Sequence, residues 1–212
     1  MKLFIWNCQG AYRKKASLVP ENSDIVIISE CSKADSTDAA IWYGDNERKG
    51  IAVFSKYKIE LIEKPKFKYI LPLRVNDTFT LLAVWSQNMP THRERYVGQI
   101  WGAVNFYECD IIAGDWNSNK IWDYKDKVGN HSDVVNLLAT KNIHSAYHSY
   151  FKEEHGAETR PTFYLYRNRT KPYHIDYCFI SDKFKVASVE VIDADCSDHS
   201  PVLVSLEYNI MT

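Results

Sequence analysis

The sequence predicts an α/β protein built on two sheets, and three observations carry that prediction. Short apolar runs rich in β-branched residues outnumber every other pattern along the chain. Between some of them apolar residues recur at helical spacing, which marks amphipathic helices. Aromatic residues make up 14% of the chain, a bulk that a core between two packed sheets accommodates well.

The first run, Lys2–Trp6, is short and apolar and ends at Asn7. Asp24–Ser29 is largely β-branched, as a strand buried on both faces requires, and it stops at Glu30. Ser32–Trp42 carries a weak helical pattern. Gly50–Phe54 is the next strand, and Thr78–Trp85 follows, ending in Ser86-Gln87-Asn88. In Arg93–Phe106 the residues Val97, Ile100, Trp101 and Val104 form one apolar helical face. Cys109–Ala113 reads as a strand, Ser132–Thr140 as a helix. Thr162–Tyr166, Tyr173–Ser181, Ala187–Ile192 and Val202–Leu206 complete the strands. No repeat, low-complexity tract or linker interrupts this order, so residues 1–212 are expected to form one domain.

Composition narrows the function classes. The formal net charge is −1, so attraction to a polyanion must come from local patches. Two acid-free loops supply them. Lys64–Arg74 carries Lys64, Lys66, Lys68 and Arg74. Arg160–His174 carries Arg160, Arg167, Arg169 and Lys171 among Phe163, Tyr164, Tyr166 and Tyr173. Cations interleaved with aromatics suit a nucleic acid; a solvated hairpin is the alternative. The five cysteines are scattered, odd in number and without a C-x-x-C pair, which points to a reducing, cytoplasmic setting. The N-terminal apolar run is too short for a signal peptide. No run reaches the ~20 apolar residues of a membrane span, so no membrane partner is expected. No obligate protein partner is evident.

Three polar blocks touch the strand runs. They are Gly114-Asp115-Trp116-Asn117, His174-Ile175-Asp176-Tyr177 and Ser197-Asp198-His199-Ser200-Pro201. Carboxylates, an amide and an imidazole at strand ends are what metal-assisted phosphodiester cleavage needs. A divalent cation neutralises the phosphate, a water is oriented, and the developing charge is stabilised. Glu30 is a natural metal ligand, although a glutamate opening a helix is the plainer reading. Asn7 is placed either to ligate the metal or to hold a carboxylate. Asp115 and Asn117, two apart after a permissive glycine, face one side; Asp115 would orient the water and Asn117 hold a phosphate oxygen. His199 as a cation would stabilise the transition state, with Asp176 raising its pKa and fixing its tautomer. The other histidines (92, 131, 144, 148, 155 and 174) show no spacing that marks a zinc site. Neither a Gly-rich phosphate loop nor a Gly-x-Ser-x-Gly elbow is present.

In order and spacing, these motifs resemble the endonuclease/exonuclease/phosphatase superfamily. The resemblance runs from Leu3–Asn7 through Asp24–Glu30, Gly50–Phe54, Ala113–Asn117 and His174–Tyr177 to Ser197–Val202. It implies a four-layer α/β sandwich, with two mixed sheets face to face and helices outside. It implies Asn7 and Glu30 as ligands of Mg²⁺ or its substitute Mn²⁺, with Asp198 near the ion. It gives Asp115, Asn117, Asp176 and His199 the roles named above. Trp85 stands where the AP-endonuclease branch carries a Tyr, and Asn88 matches a phosphate contact. Arg160, Arg167, Arg169 and Lys171 would complete the substrate surface. The expected activity is a metal-dependent nuclease acting on DNA. A phosphatase or phosphodiesterase for a small or lipid-derived phosphoester is the alternative. An inactive binding module is the third reading, and the retention of every site residue stands against it.

Overall fold

A computed structural model describes residues 1–90, 96–125 and 128–209. In chain order its elements are β1 (Lys2–Asn7), β2 (Ile25–Cys31), β3 (Ile41–Asn46), β4 (Lys49–Ser55), β5 (Ile59–Leu61), β6 (Ile70–Val75) and β7 (Phe79–Trp85). Helix α1 (Val97–Phe106), β8 (Ile111–Asp115), α2 (His131–Thr140), β9 (Ile143–Ser145) and α3 (Ala146–Phe151) follow. Then come β10 (Phe163–Tyr164), β11 (Pro172–Tyr173), β12 (Asp176–Ser181), β13 (Phe184–Val191) and β14 (Val202–Tyr208).

The strands form two six-stranded mixed sheets. One has the order β13-β14-β1-β2-β4-β3, the other β5-β6-β7-β8-β12-β9, and β10-β11 is a separate small hairpin. β1 runs parallel to β2, and β7 parallel to β8, while the other pairings are antiparallel. The parallel pairs lie mid-sheet, which is why their sequences are apolar on both faces. Leu3, Ile5, Ile25, Ile27, Leu81, Ala83, Ile111 and Ala113 meet between the sheets. Fully burying each Leu or Ile there contributes about 1.5–3 kcal/mol. The alternate residues of the second sheet, Leu82, Val84, Ile112 and Phe179, bury against Ile100 and Val104 of α1 and Val134 and Leu138 of α2.

The outer face of the first sheet is covered differently. Phe4, Trp6, Val26 and Ile28 pack under Tyr12, Leu18 and Val19, in and beside two short 3₁₀ turns. The expected Ser32–Trp42 helix is absent. Ser32 Oγ accepts from the Asp35 N–H, and Ser36 Oγ donates to the Ser32 carbonyl. These local bonds compete with a helical ladder, and Ile41 and Trp42 instead enter β3. Three other expectations change. Lys64–Arg74 is not all loop, because Ile70–Val75 pairs as β6. Thr162–Tyr166 is strand only at Phe163–Tyr164, and Tyr173–Ser181 breaks at 174–175. The first residues of the expected Arg93–Phe106 helix lie outside the described residues.

Gly114 shows why one residue type is required mid-strand. It sits opposite Val84 of β7 with φ +144°, and an added Cβ would lie 1.9 Å from the Val84 carbonyl oxygen. The close approach is to a neighbouring strand rather than to a ligand. Gly114→Ala is expected to cost roughly 3 kcal/mol or more in urea unfolding, since backbone strain and a clash with backbone combine. A loss under about 1 kcal/mol would show that β7 and β8 separate easily.

Candidate active site

The site lies where the ends of β1, β2, β8 and β12 come together with the turn before β14. Asp115 ends β8, and Asp176, which begins β12, is its direct partner in the antiparallel ladder. Both carboxylates are buried, at 0% and 1% exposure. Like charges directly opposite on a ladder repel, and His199 answers that repulsion. Its Nδ1–H donates to Asp176 Oδ2 at 2.9 Å. Ligand atoms of Asp115, Asp176 and His199 all lie within 4.8 Å of one another. An imidazolium proton already serves as the cation of this trio, so we assign it as a charge network and not as a metal cage.

Asp115 also binds the two sheets together. Asn7 Nδ2, at the end of β1 in the other sheet, donates to Asp115 Oδ2 at 2.9 Å. Asn117 Nδ2 donates to the same oxygen at 3.0 Å, and its backbone N–H donates to Oδ1 at 2.9 Å. Asn117 adopts φ +48° to do this, a conformation that Asn tolerates better than most residues.

His199 is held from every side. Its carbonyl accepts from Trp6 Nε1, and its backbone N–H donates to Ser197 Oγ. The Phe163 ring lies 4.7 Å from the imidazole. Thr162 Oγ1 accepts from the N–H groups of Ile175 and Asp176, which fixes the entry into β12. Asp176 Oδ1 is buried without a hydrogen-bond partner.

Glu30 occupies a β-bulge. The β2–β4 register shifts between Ser29 and Cys31, and Glu30 between them has φ +60°. A bulge re-aims one side chain out of the strand's alternation. Asn7 pairs with Ser29 in the β1–β2 ladder, so Glu30 emerges beside the Asn7 strand end. Lys49 Nζ contacts Glu30 Oε2 at 2.8 Å. Asp198 accepts from Gln9 Nε2 at 2.8 Å. Asn7 touches Asp115, Asp198 precedes His199, and Glu30 follows Ser29, the ladder partner of Asn7.

The residues expected to face substrate separate sharply. Arg167 Nε donates to Gln9 Oε1 at 2.9 Å, beside the Gln9–Asp198 contact. Arg160 instead pairs with Glu153 at 2.8 Å and stacks over Phe151. Arg169 is spanned by Asp193 at 2.7 Å and Asp195 at 2.6 Å. Lys171 Nζ lies 5.9 Å from the Tyr166 ring, and Tyr166 is 84% exposed. Trp85 is 4% exposed and packs 4.7 Å from Tyr69, so its ring offers a substrate little surface. Asn88 is exposed on the segment after β7. In Lys64–Arg74, Lys68 pairs with Asp45 and Lys66 lies over Phe106. Both basic segments are thus partly neutralised by acids from elsewhere in the chain, which no local reading of the sequence reveals. Sequence reading also missed Gln9, Lys49 and Thr162, whose positions depend on tertiary contact alone.

Burial pushes the Asp115 carboxyl up to about 7; Asp176 pushes the same way, while His199, Asn7 and Asn117 pull back. Burial works against a charged His199, yet Asp176 and Asp115 overcome it and hold the imidazole at about 9. The unfolded value is about 6.5. The raised pKa therefore adds stability that is complete below pH 6.5 and lost as pH rises through about 9. An NMR titration of the His199 ring nitrogens should give a pKa far above 6.5, and Asp176→Asn should lower it. A wild-type value at or below 6.5 would contradict the charge network.

Comparison with known proteins agrees with this fold. The endonuclease/exonuclease/phosphatase family matches residues 5–199. A 3′ phosphatase from Neisseria, bound to a product DNA hairpin, superposes with TM-score 0.71 at 17% identity, covering 98% of this chain and 100% of that one. An AP endonuclease from Archaeoglobus fulgidus gives TM-score 0.67 at 14% identity, covering 99% and 100%. A mannosyl-6-phosphatase from Bacteroides thetaiotaomicron gives 0.61 at 16% identity, covering 98% and 100%. No curated protein matches the chain. With a match that begins in β1 and ends at His199, the chain belongs to the endonuclease/exonuclease/phosphatase family.

Proposed function

We propose that this protein is a divalent-metal-dependent phosphodiester hydrolase that cleaves DNA. The observation that carries the reading is the buried Asp115–Asp176–His199 network, with Asn7 bonded to Asp115. Family members are phosphoesterases, and similar structures include proteins that act on DNA.

Glu30, Asn7 and Asp198 fit a hard cation. Their donors are oxygen only, as Mg²⁺ prefers, and a Lys49 ammonium already rests 2.8 Å from Glu30. Mg²⁺ or Mn²⁺ held there would supply neutralisation of the phosphate charge. Asn117 would meet a non-bridging phosphate oxygen by releasing the Ser86 carbonyl, to which its Nδ2 donates at 2.9 Å. Asp115 orients the attacking water and accepts its proton, for which a pKa near 7 is well matched. His199, kept charged by Asp176, stabilises the charge that gathers on phosphorus-bound oxygen in the transition state. Asn88 would give a further phosphate contact, and Arg167 would meet the backbone of the strand being cut.

One observation favours the second reading, a phosphatase for a small phosphoester. Arg160 and Arg169 already hold acidic partners, so the basic segment offers less free positive charge than its sequence suggests. A sugar-phosphate phosphatase is also among the similar structures. A panel of duplex, single-stranded and abasic DNA, RNA and a soluble phosphomonoester, in Mg²⁺, Mn²⁺ and EDTA, tests the proposal. EDTA-sensitive DNA cleavage is expected. Turnover of the phosphomonoester alone would move the protein to the second reading.

Three substitutions give further expected outcomes. His199→Ala should lower kcat by roughly 10²-fold or more with metal affinity intact. Glu30→Gln should raise the Mg²⁺ concentration for half-maximal turnover at least ~10-fold. Arg167→Ala should weaken binding to a DNA hairpin and reduce the salt slope by about one, while Arg169→Ala leaves both unchanged. Equal effects at the two arginines would show that the acids beside Arg169 do not neutralise it.

A further inference from the structure

A second cluster of metal-ligating side chains lies on the other side of the β8–β12 pair, beside α2 and α3. His148 stands on α3, and His155 and Glu158 on the loop that follows it. One ligand atom from each lies within 4.8 Å of the others. The two imidazoles stack with centroids 3.5 Å apart. His131, the first residue of α2, and His174, before β12, extend the group.

We propose that His148, His155 and Glu158 bind a Zn²⁺ ion at a site separate from the phosphoester centre. Two imidazoles and one carboxylate form a donor set that zinc takes, with a fourth position left for water or another ligand.

Four observations support it. The first is the His148–Glu158 contact, Nε2 to Oε1 at 3.1 Å. A lone pair and a carboxylate at that distance need a proton or a metal ion between them. On its other side, His148 Nδ1 lies 2.7 Å from Ser145 Oγ. That hydroxyl either donates to Nδ1 or accepts from it, so Ser145 supports both the protonated and the metal-bound tautomer of His148.

The second is the orienting chain behind His155. His155 Nδ1 lies 3.5 Å from His131 Nε2, and His131 Nδ1 lies 3.2 Å from Ser118 Oγ. When each Nδ1–H donates outward along this chain, His155 Nε2 keeps a free lone pair. Such outer-shell bonds fix the tautomer of a metal-ligating histidine.

The third is an unsatisfied histidine beside the trio. His174 adds a buried Nε2 with no hydrogen-bond partner, its Nδ1 being committed to the Arg160 carbonyl.

The fourth is access. His155 lines a pocket of about 260 Å³ together with Lys120, Ser132, Asn136 and Glu154. The pocket therefore opens onto one of the three ligands. The ligand spacing, His148 to His155 to Glu158, follows no short zinc motif, which is why sequence reading found no zinc site.

Zn²⁺ binding to the metal-free full chain tests the proposal, by calorimetry and by visible absorption of Co²⁺ as a probe. One ion per chain with Kd of about 1 µM or tighter is expected, with Co²⁺ bands of tetrahedral intensity. His155→Gln and Glu158→Gln should each weaken binding about 100-fold, and His131→Ala, which removes only the orienting contact, about 10-fold. Glu30→Gln should leave this binding unchanged. His155 borders the pocket, so its variant is expected to keep the wild-type circular dichroism even where Glu158→Gln does not. The proposal is overturned by no wild-type binding tighter than about 100 µM. Wild-type affinity retained in folded His155→Gln, or binding abolished by Glu30→Gln, would overturn it equally.

Discussion

Two buried carboxylates face each other across one rung of a β-ladder, and the site is organised around that fact. Asp115 and Asp176 are register partners in β8 and β12. Left alone, the pair would open the ladder or take up a proton. His199 arrives from the turn before β14, on the opposite sheet, and places a positive charge against them. Asn7 reaches Asp115 from β1 of that same sheet. The interaction that neutralises the carboxylates thus also clamps the two sheets at their open end. Breaking a buried ion pair by removing one partner is costly because the other charge stays buried. In the proposed mechanism, the same low-dielectric setting makes the histidine charge effective against a developing oxyanion.

Around this network the backbone departs from regular geometry where a side chain must be aimed. Glu30 sits in a bulge with positive φ, and Asn117 turns with positive φ to bring both its amides to Asp115. Gly114, one residue earlier, lets β8 approach β7 closely enough for Asp115 to lie at the right depth. Such conformations carry a local cost and persist because neighbouring contacts over-determine them. Gly114 and Asn117 fall in one polar block, whereas Glu30 lies in the bulge of β2.

Much of this was readable from residues. The apolar runs of β1, β2, β7, β8 and β12 announced the sheet centres, since buried strands show near-continuous Val, Ile and Leu. Asp115, Asn117, Asp176 and His199 stood out because each polar block abutted such a run, and the structure gathers them. Edge strands were harder. β3, β5 and β9 are short or polar, and their pairing is decided by tertiary contact rather than by pattern. The Ser32–Trp42 helix failed because the Ser32 and Ser36 side chains hydrogen-bond the nearby backbone. The basic segments misled for another reason. Arg160 and Arg169 are matched by Glu153, Asp193 and Asp195, and two of those acids lie more than twenty residues away in sequence. Charge read along a chain differs from charge read across a surface.

In the proposed mechanism Asp176 acts through His199, and a double-mutant cycle on kcat measures that dependence directly. Asp176→Asn, His199→Ala and the double variant would be compared with wild type on one DNA substrate at saturating Mg²⁺. If Asp176 serves to charge and orient the imidazole, the double variant turns over no more slowly than His199→Ala alone, because the partner has nothing left to support. Losses that multiply in the double variant would mean that the two residues act independently, and the charge network would then not be the centre of the mechanism.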